Sequence, residues 1–160
     1  MTDLPPLVRR FDVPCPPDEA FETFLSGMGR WWPMEKFSTS AFRGVPSTLE
    51  VAAQVGGEIV EVAEDGARVL WGTIETLEPP HRMSMRFHIP HPDEVVTART
   101  LVELTFTATQ SGTRVQLSQS EWESLGKLAK PLHGGYGGGW AVIFDGAYAD
   151  ACTPNNPNGD

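Results

Sequence analysis

Between Thr48 and Ser120 the chain passes from one short alternating segment to the next across turn-forming residues, and that rhythm constrains its fold more than any other feature. Gly56-Gly57 separates Leu49–Val55 from Glu58–Ala63, Asp65-Gly66 separates that segment from Arg68–Leu77, and Pro79-Pro80 precedes Arg82–Ile89. Pro90-His91-Pro92-Asp93 then leads to Ala98–Ala108, and Ser111-Gly112 leads to Thr113–Ser120. Asp-Gly and Gly-Gly supply the positive φ that tight hairpins need, so the spacing predicts an antiparallel meander.

Within these segments apolar and polar residues alternate. Met83, Met85, Phe87 and Ile89 oppose Arg82, Ser84, Arg86 and His88, while Val102, Leu104 and Phe106 oppose Glu103, Thr105 and Thr107. A sheet with one wet face must bury the other against a second layer. The last part of the chain supplies one: Trp140, Ile143, Phe144, Ala147, Tyr148 and Ala151 recur at the spacing of a helix face. The run Gly134–Gly139, with Tyr136 inside it, precedes that stripe and reads as a hinge or lid.

Upstream, Val8–Val13 alternates as a strand and Pro14–Pro17 stops it. Pro17, Asp18 and Glu19 then open a helix that carries Ala20, Phe21, Phe24 and Leu25 and stops at Gly27. Met28–Pro33 adds a turn with the pair Trp31-Trp32, and Glu35–Pro46 is a long loop anchored by Phe37 and Phe42. Residues 1–152 are expected to form one domain, with Thr153–Asp160 as a fraying tail.

The 160 residues, 40% hydrophobic and with 8 Phe, 5 Trp and 2 Tyr, suffice for a single core. A net charge of −9 repels phosphate backbones and anionic headgroups, so neither nucleic acid nor a membrane surface is expected as a partner. No apolar run approaches the ~20 residues of a membrane span, and the first residues lack the basic start of a signal peptide. A cytoplasmic protein is expected. Cys15 and Cys152 are read as small buried or half-buried thiols rather than a disulfide framework.

The order of one strand, two short helices, a run of strands and a long helix resembles the helix-grip fold of the START and birch-pollen-allergen-like superfamily (SRPBCC). Pro17-Asp18-Glu19-Ala20-Phe21 resembles that superfamily's first helix start. Gly72-Thr73-Ile74-Glu75-Thr76-Leu77-Glu78-Pro79-Pro80-His81-Arg82-Met83 is similar to a segment of the family named for the C-terminal domain of the heat-shock-protein-90 ATPase activator. Gly139-Trp140 resembles that family's start of the last helix. The resemblance implies an α+β fold, a curved antiparallel sheet of about seven strands wrapped round a long C-terminal helix. It also implies a cavity between the two, and leaves function open among ligand binders, polyketide cyclases and aromatases, and co-chaperone domains.

Trp31, Trp32, Phe37, Trp71, Met83, Met85, Phe87, Phe106, Tyr136, Trp140 and Phe144 are the expected lining of that cavity, as flat or flexible apolar groups suited to a small hydrophobic or amphipathic ligand. For proton chemistry the candidates are Glu121, placed inward by the alternation Val115, Leu117, Gln119, Glu121, together with His88 and Tyr136; Glu58 beside the Gly-Gly turn is another. His88 and His91 flank Pro90 and point to different faces, so no metal site is expected, and the glycine run lacks the Lys-Ser/Thr ending and preceding strand of a nucleotide loop, so no cofactor is expected. Three functions follow as expectations: a binder of a small hydrophobic molecule, a cyclase, aromatase or hydrolase acting on a polyketide-like or aromatic compound, and an interaction module docking a protein partner at the edge formed by Glu121, Trp122 and Glu123. A homodimer through a strand edge or the wet sheet face is compatible with all three.

Overall fold

The computed structural model describes residues 4–94 and 98–153 of the chain. Strand β1 (Leu7–Val13) leads into helices α1 (Pro17–Leu25) and α2 (Met28–Trp31). Strands β2 (Ser47–Val51), β3 (Glu58–Ala63), β4 (Arg68–Glu78), β5 (Arg82–Phe87), β6 (Thr100–Ala108) and β7 (Thr113–Ser120) follow, and the chain ends in a long helix that begins as α3 (Ala129–Val142). The sheet is seven-stranded and antiparallel in the order β1-β7-β6-β5-β4-β3-β2, so each strand of the meander pairs with its neighbours in sequence. β1 joins the far side of β7, with Leu7 opposite Gln119 and Val13 opposite Thr113. This is the α+β helix-grip architecture that the sequence implied. Among the described residues no helix is long and apolar enough to cross a membrane.

Local chemistry explains most boundaries. α1 begins at Pro17, whose missing N–H is no loss in a first turn, with Asp18 and Glu19 beside it, and buries Ala20, Phe21, Phe24 and Leu25. β2 stops at Val51, short of the expected Val55, because the Gly-Gly turn already starts at Ala52: its N–H donates to the Glu58 carbonyl, and Gly57 donates to Gln54. Gly72 is dictated by close approach. It lies opposite Phe87, and a Cβ there would collide with the carbonyl oxygen of Arg86.

The glycine run lies inside α3 rather than ahead of it. Glycine costs about 1 kcal/mol per position in a helix, so propensity alone would break the helix there. Tertiary packing overrides it: Tyr136 stacks on Trp140 and packs against Trp122, and His133 donates from Nε2 to the Pro5 carbonyl at 2.8 Å. Beyond Val142 the helix widens into a π turn, Ile143–Tyr148, and closes with Ala149–Ala151. The π turn stacks Phe144 on Tyr148, 5.4 Å between centroids, and both rings meet Phe11 and Phe24 in the core. The tail beyond Thr153 lies outside the described residues.

A buried polar chain ties this helix to the sheet. Gln119 of β7 accepts the Trp140 indole N–H at Oε1 (2.7 Å) and donates from Nε2 to Thr100 Oγ1 (2.9 Å), which donates to the Phe87 carbonyl (2.6 Å). Every member is satisfied, so the chain specifies how the helix seats. Gln119→Leu strands the indole donor in an apolar core. It should lower stability by about 2 kcal/mol, or roughly 4–8 °C in Tm by circular dichroism, whereas a drop under about 1 °C would show that apolar packing alone seats the helix.

Candidate functional site

The space between last helix and sheet is filled. Trp32, Trp71, Phe87 and Trp140 meet ring on ring, with centroid separations of 5.2 Å for Trp32 and Trp71, 5.9 Å for Trp32 and Phe87, and 6.0 Å for Trp32 and Trp140. Met83, Met85, Phe106 and Phe144 are buried around them, and Trp31 is half-buried with its indole N–H on the Thr23 carbonyl (2.7 Å). These residues, expected to line a cavity, instead pack on one another as core. Bulky rings from facing layers interdigitate, and Trp71, Met83, Met85, Phe87, Trp140 and Phe144 are almost wholly buried.

Phe37 and Tyr136, from the same expected set, do line an open space. A groove of about 150 Å³ runs beside the core, walled by Lys36, Phe37, Ser38 and Phe42 of the long loop, by Ile89, and by Leu132, Gly135, Tyr136, Gly139 and Ile143 of the last helix. Gly135 and Gly139 stand one helical turn apart; the bare backbone at Gly135 leaves the groove open, and at Gly139 it admits the Phe37 ring. A Cβ on Gly135 would meet nothing within 4 Å, and one on Gly139 would reach the Phe37 ring at 3.6 Å.

The loop that forms the opposite wall is held by a carboxylate that the sequence reading passed over. Glu61 of β3 is fully buried; it accepts the backbone N–H of Thr39 (2.9 Å) and of Ser40 (2.7 Å) and the Trp71 indole N–H (2.9 Å). Burial pushes the Glu61 carboxyl up, but hydrogen bonds from Ser40, Thr39 and Trp71 outweigh it, and the net shift is down. Thr39 Oγ1 also donates to the Pro90 carbonyl (2.6 Å), and the Trp32 indole donates to the Phe37 carbonyl (2.8 Å). The signal was present: Glu61 falls in phase with the inward Ile59 and Ala63.

His88 and Tyr136, separately chosen as candidates, come together. His88 is fully buried; its Nδ1 lies 2.9 Å from the Tyr136 hydroxyl and its Nε2 lies 2.7 Å from Glu94 Oε2. The Ile89 N–H donates to the same hydroxyl (2.7 Å). Burial lowers the His88 pKa, opposed by the hydrogen bond and charge of Glu94, while the Arg99 charge lowers it further. Burial holds the Tyr136 phenol well above its ordinary value.

Glu121 does not join them. The alternation that aims Gln119 inward ends with β7 at Ser120, and Glu121 takes a left-handed backbone (φ 64°) that turns its side chain to the wet face, where it pairs with Arg86 (2.7 Å). Glu58 is exposed. Exposed His91 packs against Phe42, 4.7 Å between centroids, away from His88. Trp122 is fully buried with its indole on the Gln119 carbonyl (3.0 Å), so this tryptophan is not presented to a partner at the edge of Glu121 and Glu123.

Comparison with known proteins extends this picture. Residues 14–146 match the model of a family described as activator of Hsp90 ATPase homolog 1-like protein. No curated protein matches the sequence. Among solved structures, protein MLL2253 from Mesorhizobium loti is similar at a TM-score of 0.66 and 19% identity, covering 91% of this chain and 95% of its own. The Aha1 dimer from Colwellia psychrerythraea is similar at 0.64 and 16%, covering 96% and 99%. Txn09, an anthrahydroquino-gamma-pyrone synthase solved as a complex, is similar at 0.63 and 25%, covering 94% and 99%.

The loop clasp has a pH signature. Glu61 has a folded-state pKa below its ordinary 4.5, so its stabilisation is complete above that value and is lost as pH falls through the folded pKa. Glu61→Gln, which puts an amide N–H against the donors, should cost roughly 2–3 kcal/mol at pH 7. Below pH 4.5 the gap between variant and wild type should narrow in urea unfolding. A gap that stays constant with pH would show that Glu61 does not carry the charge.

Proposed function

The chain belongs to the activator of Hsp90 ATPase homolog 1-like family, and from that premise we propose that it binds a small planar aromatic molecule in the groove between the Phe37–Phe42 loop and the last helix. The observation that carries the proposal is the open space over the bare helix backbone at Gly135, beside the point where the Phe37 ring packs on Gly139. A stretch of bare helix backbone set among aromatic and aliphatic side chains suits a flat apolar molecule. Ligand pockets for drug-sized compounds run to ~300–1,000 Å³, so about 150 Å³ admits one ring or two fused rings, or the end of something longer.

The similarity to Txn09, named as a synthase of an anthrahydroquino-gamma-pyrone, supports a fused-ring compound as the ligand class. A second reading, catalysis on such a compound, has the Glu94–His88–Tyr136 chain beside the groove in its favour. Binding comes first, since either reading needs the groove occupied.

With 2-naphthol as the probe, isothermal titration calorimetry should show saturable binding with a Kd on the order of 0.1 mM, the affinity expected when a dozen or so non-hydrogen atoms are buried at moderate efficiency. Gly135→Leu projects into open space, so it should leave Tm unchanged or raised while weakening binding at least tenfold. Undiminished binding in that variant would move the ligand elsewhere.

A further inference from the structure

The groove's polar end has a defined hydrogen-bond sense. Glu94 offers only acceptors, so the proton of neutral His88 sits on Nε2, facing Oε2 at 2.7 Å. Nδ1 is then an acceptor, and the contact at 2.9 Å is a donation from the Tyr136 O–H. The Tyr136 hydroxyl has a single proton, now committed, and its oxygen already accepts the Ile89 N–H. One lone pair is left. Tyr136 and Ile89 both line the groove, so what the His88 end presents to a ligand is an acceptor, while the charged donor of the lining, Lys36, belongs to the loop wall.

Resting on the groove as the ligand site, we infer that it selects aromatic hydroxyl compounds, such as phenols, hydroquinones and enols, over their ethers and ketones: the ligand O–H donates to the Tyr136 oxygen, whose orientation is fixed by His88 and Glu94. An ether or carbonyl oxygen placed there sets acceptor against acceptor, and a site built to pair with a hydroxyl discriminates strongly against analogues that leave it unpaired. Two further features hold the arrangement in place. His88 is fully buried, and both its burial and the Arg99 charge disfavour imidazolium, which would turn Nδ1 into a donor and free the Tyr136 proton to rotate toward the groove. The Glu94 carboxylate is itself tethered, accepting the His91 N–H at Oε1 (3.0 Å).

The test compares 2-naphthol, 2-methoxynaphthalene and naphthalene by calorimetry at pH 7. The expected result is 2-naphthol at least tenfold tighter than either of the others. In Tyr136→Phe the advantage should vanish, with 2-naphthol falling to the affinity of naphthalene while naphthalene itself is unchanged. The wild-type comparison stands on its own if that variant folds poorly. Equal affinities for the three compounds, or a preference for the ether, overturn the selection while leaving the groove as the binding site. No binding of any of them overturns both.

Discussion

A fully buried carboxylate, Glu61, holds the geometry on which the rest of the site depends. Removing such a charge from water costs several kcal/mol, and the cost is offset only if donors replace the lost hydration. Here they are the amides of Thr39 and Ser40, in the middle of a long loop, and the indole of Trp71, at the centre of the core. The loop therefore has one position, and Phe37 and Phe42 arrive at the groove because Glu61 fixes the residues between them. The Trp32 indole on the Phe37 carbonyl adds a second tie from the core side.

The groove lies beside the core because the helix-to-sheet interface has no room. Trp32, Trp71, Phe87 and Trp140 fill the grip where a ligand would otherwise sit, and the Gln119–Thr100 chain locks Trp140 against them. What opens the lateral space is the absence of a side chain at Gly135, with Gly139 leaving room for the Phe37 ring, on a helix that tolerates glycine because Tyr136 and Trp140 anchor it from the other positions. Two anchors and two blanks on one helix thus make a packed core and the wall of a shallow groove from the same few turns. The same tyrosine serves both, since its ring packs against the core and its hydroxyl ends the His88 chain.

Much of the fold was legible. Hairpin signals and alternation located the strands within a few residues, and β3 and β7 match their expected limits, because turn chemistry and a half-wet sheet leave strong local marks. The site was legible in its parts and not in its arrangement. His88, Tyr136 and Phe37 stood out by residue type, but only the fold shows that the first two share a proton and that the third faces a bare helix. Glu121 misled because alternation says nothing about where a strand stops, and one left-handed residue reverses a side chain. Glu61 was overlooked because a charge in phase with Ile59 and Ala63 looks like a break in the pattern until its three donors, from segments up to 22 residues away, are seen.

The central claim, a solid grip with binding confined to the lateral groove, is tested most directly by titrating 2-naphthol into isotope-labelled protein and following amide and indole N–H resonances by NMR. The account predicts that the amides of Ile89, Gly135, Tyr136 and Gly139 shift saturably while the indole signals of Trp71 and Trp140, locked on Glu61 and Gln119, stay in place. Large shifts at those two indoles with silent groove amides would contradict it, and would mean that the ligand opens the core.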